Sequence, residues 1–241
     1  MRPAPARPHF RPALLAAVVV VIAAGPAAAH HVGTYVPSDN EISANFKQIK
    51  FSIQAGKIDV AQRLFESGAV RAEMRSKASG LPAGLEEATR AALGAGDGRR
   101  AERCLMVFFA GLSRDLALEA DRRLAAAKEP AGARMAAAQK FLEAIWRYYN
   151  LVDFAVTQYD PKASVAVRLA FDDAEGYARG GASAGGKAGP KPAPVAGRAS
   201  QAPDPEKMRE ALQRMARTLS GLIDRSMTAK PRAVMPRAVM Q

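Results

Sequence analysis

The sequence predicts an all-α protein, an antiparallel bundle of about five to six helices with an amphipathic C-terminal helix tethered by a linker. Three observations carry this. Apolar residues recur at steps of three and four over most of 42–177. The breaks between these runs carry Gly, Pro and N-capping residues. Runs of alternating apolar and polar residues, the mark of strands, are nearly absent.

Residues 1–29 read as a secretory signal peptide. Arg2, Arg7 and Arg11 form a positive start, Ala13–Ala24 is an apolar run, Gly25-Pro26 breaks it, and Ala27–Ala29 offers small residues for cleavage. The run is short of the roughly 20 apolar residues that a membrane helix needs, and no second such run follows. The expected mature chain is therefore periplasmic or secreted, without a transmembrane helix. A cut after Ala29 makes His30-His31 its N-terminus, whereas a cut after Ala28 does not.

In the first helix, Ser38 with Glu41 fits a capping box, and Ile42, Phe46, Ile49 and Ile53 form one stripe. Gly56 ends it. A second helix runs from about Ile58 toward Gly80, with Ile58, Ala61, Leu64, Phe65 and Ala72 on one face. The stretch Ala55–Ala69 resembles the second helix of an ankyrin repeat. The Thr-Pro-Leu-His turn of that family is missing and no second copy follows, so the resemblance implies a helical hairpin and no function.

A short third helix covers about 83–94, and the glycines at 94, 96 and 98 break the chain again. The fourth helix, about 99–127, places Leu105, Phe108, Phe109, Leu112 and Leu116 within one arc. The fifth, about 133–159, is the most apolar; Leu151 and Phe154 lie off its main face, which predicts a central helix covered on more than one side. Asp160-Pro161 starts the sixth with an N-cap and an N1 proline, and Val165, Val167, Leu169 and Phe171 follow, to about Tyr177.

Residues 178–203 are rich in Gly, Ala, Pro and Ser and read as a disordered linker. Asp204-Pro205-Glu206 caps a last helix, 204–228, with a Met and Leu stripe between cations. The segment 229–241 holds Pro-Arg-Ala-Val-Met twice and reads as a disordered tail.

The net charge of +12 is unevenly spread. The leader has three arginines and no acid, and residues 178–241 have twelve basic against four acidic residues. The part between, 30–177, has twenty basic and nineteen acidic residues and is nearly neutral. Outside the cytoplasm a basic C-terminal helix meets an envelope protein or an anionic surface; nucleic acid is not expected there. The alternative is that this helix docks back on the bundle.

Chemistry-bearing motifs are few. Cys104 is the only cysteine, so no internal disulfide forms. No haem, zinc, phosphate-loop or nucleophile-elbow pattern occurs, and His30 and His31 are the only histidines after the leader. At a new N-terminus, His30 offers an α-amine and an imidazole to Cu(II), and His31 adds a second imidazole. Glu119, within the arc of Leu112 and Leu116, is the further candidate metal ligand, with Asp115, Asp153 and Asp172 near apolar faces. The competing expectation is that these acids pair with Arg114, Arg122, Arg123 or Arg168. The function expected from sequence is a non-enzymatic exported module that binds a protein partner or an envelope surface. A copper-handling periplasmic protein is the alternative.

Overall fold

The computed structural model describes residues 38–180 and 202–228. The expected leader, His30-His31, most of the linker and the C-terminal repeat lie outside them. The described residues fold into eight α-helices and one 3-10 turn, with no strand among them.

Helix α1 (Glu41–Gln54) starts on a capping box, but its register differs from the expected one. Asn40 is the N-cap: its side chain accepts from the Ser43 amide at 2.9 Å, and Ser43 Oγ accepts from the Asn40 amide at 2.8 Å. Ser38 and Glu41 are not the pair, because the helix begins at Glu41 and its third residue is Ser43. The stripe of Phe46, Ile49 and Ile53 is buried, with Ile42 packed at its edge.

The single helix expected from Ile58 is two, α2 (Ile58–Glu66) and α3 (Ala69–Ser76), followed by a 3-10 turn at Ala78–Gly80. The break is pinned from outside. Asn45 of α1 donates to the Leu64 carbonyl at 3.0 Å and accepts from the Val70 amide at 3.0 Å. It thereby satisfies backbone groups orphaned on both sides of Gly68. The break resets the buried face, so Val70 and Met74 are buried and Ala72 is exposed.

Helix α4 (Leu85–Gly94) leads to α5 (Gly98–Ala125), capped by Asp97, which accepts from the Arg100 amide at 3.0 Å. Ten consecutive residues of α5, Cys104–Ser113, are buried, so this helix is covered on every side. Helices α6 (Ala131–Tyr159), α7 (Pro161–Arg179) and α8 (Pro205–Thr228) complete the molecule. Asp160 caps α7, accepting from the Ala163 amide at 3.0 Å, with Pro161 at its first turn.

The long helices pack pairwise around a ring, α5 on α6, α6 on α7, α7 on α8 and α8 on α5. Successive members are antiparallel. Arg134 at the start of α6 reaches the Leu124 carbonyl at the end of α5, and Gln139 reaches Ala178 across the α6–α7 pair. Helices α1 to α4 form a smaller group laid against α5 and α6, with α1 touching both. Phe46 of α1 meets Phe109 of α5 edge to face with ring centroids 4.6 Å apart, and Trp146 of α6 meets Phe171 of α7 at 5.0 Å.

Two of the apolar residues noted on α7 are at the surface. Val165 and Leu169 are exposed, while Ala163, Val167, Ala170, Phe171 and Ala174 face inward. Alanines let α7 lie close against α6 and α8, and that close approach selects their face over the bulkier one. Phe154 of α6 is likewise 70 % exposed, so α6 is not covered on that side.

Candidate functional site

The last helix is where sequence left two readings, and the described residues place it on the body. Met208, Leu212, Met215, Leu219 and Leu222 are all buried. The chain ends α7 at Gly180 in a left-handed cap with φ 74°, and on return the Asp204 amide donates to the Tyr177 carbonyl at 3.0 Å. Three cations of α8 meet acids of the ring: Arg209 with Asp121 at 2.8 Å, Arg214 with Asp173 at 2.7 Å, and Arg225 with Asp160 at 2.7 Å. The apolar stripe expected to seek a surface is thus part of the core, and much of the helix's charge is neutralised within the chain.

Three of the four candidate acids, Glu119, Asp115 and Asp153, are engaged in the same way. Glu119 does not point into the interior. It lies at the surface, pairs with Arg122 at 2.5 Å and Arg123 at 3.2 Å, and the Arg122 hydrogen bond holds its pKa below the usual carboxylate range. The buried face of this end of α5 runs through Ala117, Ala120 and Leu124, rotated away from Glu119. Asp115 pairs with Arg114 at 2.8 Å. Asp153 accepts from Arg168 Nε at 2.9 Å and from Ser164 Oγ at 3.3 Å, and Ser164 shares a 2.8 Å contact with Thr157. Tyr149 is buried beside this cluster, and burial raises its pKa. Asp172 is raised first by burial and then by the neighbouring Glu175 and Asp173. Among the described residues no three His, Cys, Asp or Glu side chains are grouped to hold a metal ion. Buried Cys104 has its thiol pKa pushed up by desolvation. The two candidate histidines lie outside the described residues.

The feature that sequence reasoning did not find is a groove of about 610 Å³ between α1 and α6, with α5 at its base. Its floor is apolar and buried: Phe46, Leu105, Met106 and Val152. Its rim carries Lys50 from α1 and Arg99 and Arg103 from α5, with Glu102 the one acid among the lining residues. None of the three cations has an ion-pair partner among the described residues. Instead Lys50 lies 6.0 Å from the Phe46 ring centroid and Arg103 lies 5.8 Å from that of Tyr159. Tyr159 is itself held by a 2.9 Å hydrogen bond to the Arg225 carbonyl. Phe154 stands on the α6 lip, and Phe51, one residue beyond Lys50, is 65 % exposed. The off-face positions of Leu151 and Phe154 were the trace of this groove in the sequence. The cations could not be singled out, because nothing in their spacing says which ones lack partners.

The chain matches no family, no curated protein and no solved structure. Among the described residues no helix is long and apolar enough to cross a membrane.

Proposed function

We propose that this chain is an exported, non-enzymatic helical module that binds a protein partner, and that the α1–α5–α6 groove is its binding surface. The observation that carries this reading is the contrast between the groove and the candidate acids. Glu119, Asp115, Asp121, Asp153, Asp160 and Asp173 are each engaged by an arginine. The groove combines a buried apolar floor with unpaired charge and an exposed aromatic lip. Concave apolar surfaces with a few polar groups at the edge are where proteins bind other molecules.

On this reading the partner surface is on the bundle rather than on α8, whose stripe is buried. The test replaces Phe154 by a photo-crosslinking residue in the exported chain, with a second chain carrying it at Leu169, exposed on α7 and outside the groove. A specific partner captured from position 154 and not from 169 supports the reading. Equal, non-specific capture at both positions counts against it.

The copper reading rests on His30 and His31 alone. N-terminal sequencing of the exported protein, followed by Cu(II) titration of the wild type and His30→Ala, decides it. Equal affinity of the two proteins ends that alternative.

A further inference from the structure

We infer that the groove receives an acidic amphipathic helix of the partner protein; this rests on the binding-module reading above. The molecule already contains one example of such docking. Helix α8 lies against α5 and α7 with its apolar stripe buried, and its Arg209, Arg214 and Arg225 pair with acids supplied by α5, α7 and the N-cap of α7. The α1–α6 groove repeats that arrangement with the charges inverted. Helix α5 again supplies the floor, and Lys50, Arg99 and Arg103 stand on the rim where α8's seat has Asp121, Asp160 and Asp173. A helix that fits must therefore bring Asp or Glu beside its apolar stripe, so that rim cations meet carboxylates as the stripe enters.

The size agrees. The lining residues run from Phe46 to Gln54 along α1 and from Leu151 to Tyr159 along α6, which gives a trough about 12 Å long at the helical rise of about 1.5 Å per residue. That is about two turns, which seats side chains at i, i+3, i+4 and i+7. The aromatic lip also favours a helix over a single acyl chain. Phe154 is 70 % exposed on the lip, so an occupant packed against it keeps one side in water. The chain's own tail, 229–241, carries Lys230, Arg232 and Arg237 with no acid, and the same cations repel it.

The experiment uses the full exported chain and a synthetic peptide of about 14 residues, long enough to span the two turns with flanks. The peptide has Leu at i, i+3, i+4 and i+7 and Glu elsewhere; a second peptide has Lys in place of each Glu. Binding is read by fluorescence anisotropy. The acidic peptide is expected to bind and the basic one not to. Lys50→Glu with Arg103→Glu should weaken binding at least about tenfold, and raised salt should weaken it in the wild type. Thermal melts confirm that the variant folds, and Lys50→Gln with Arg103→Gln replaces it if it does not. No binding of the acidic peptide, equal binding of both peptides, or insensitivity to these substitutions overturns the inference. So does tighter binding of phosphatidylglycerol vesicles that the acidic peptide fails to displace. If position 154 crosslinks a specific partner through a segment that mass spectrometry shows to be neutral or basic, the binding module stands and the acidic-helix inference falls.

Discussion

Asp172 sits on α7 beside Glu175 and Asp173, and burial followed by these like charges raises its carboxyl pKa. A raised acid disfavours the folded state where it is ionised. That penalty is present above its folded pKa and disappears as pH falls toward the unfolded value near 3.9. Asp172→Asn is therefore expected to raise the denaturation midpoint at neutral pH and to have no effect near pH 3. Equal shifts at both pH values would contradict this. Asp160 has the opposite sign. The Ala163 amide first, and then Arg225, hold it below the usual range. Its contribution is complete above about pH 4 and is lost as pH falls through the lower folded pKa. Asp153 is the more costly position to change, because it joins Arg168, Ser164 and Thr157 between α6 and α7. Asp153→Ala should destabilise by about 1–3 kcal/mol in urea unfolding, since it removes the acceptor of the buried Ser164 hydroxyl and the partner of Arg168. At this scale the sequence showed which residues carry charge and which sit near an apolar arc. It could not show that Glu119 pairs outward with Arg122 and Arg123, because that depends on how far α5 is rotated against its neighbours.

The α2–α3 break shows the same limit for elements. The residues from 58 onward satisfy helical periodicity straight through Ser67-Gly68, yet the helix stops. Asn45 takes the carbonyl of Leu64 and the amide of Val70, and a Cβ on Gly68 would lie 2.3 Å from both Asn45 Oδ1 and the Leu64 carbonyl oxygen. Gly68→Ala should cost about 1–3 kcal/mol through overpacking, and Asn45→Ala about 1 kcal/mol through the lost cap. Because both act on one junction, the double variant should cost less than the two separately. Full additivity in chemical denaturation would show that the two residues act apart. Elsewhere the elements were legible. Asp160 and Asp204 each cap the helix the sequence assigned to them, because a cap is a local motif that needs no distant partner.

For the whole molecule, α8 decides what can be removed. A chain ending at residue 180 would expose the faces of α5 and α7 that Met208, Leu212, Met215, Leu219 and Leu222 cover. It is expected to lose its cooperative thermal transition, and Leu219→Ala alone should cost about 2–5 kcal/mol. Replacing residues 183–200 by a Gly/Ser linker of about five residues should leave the transition nearly unchanged, since Asp204 already lies against Tyr177. A large drop in melting temperature would show that this segment contributes to the fold.

What the sequence determined by itself is local: helical class, the positions of most breaks and caps, and the near-neutral body between charged ends. Periodicity and capping act over a few residues, so one chain read in order contains them. The tertiary structure alone decided that α8 belongs to the ring, that Val165, Leu169 and Phe154 face outward, and that Lys50, Arg99 and Arg103 share one groove without partners. These depend on which faces meet and which charges come within reach across many residues. The off-face Phe154 was visible in the pattern; that it borders a cationic trough became visible only when α1, α5 and α6 were brought together.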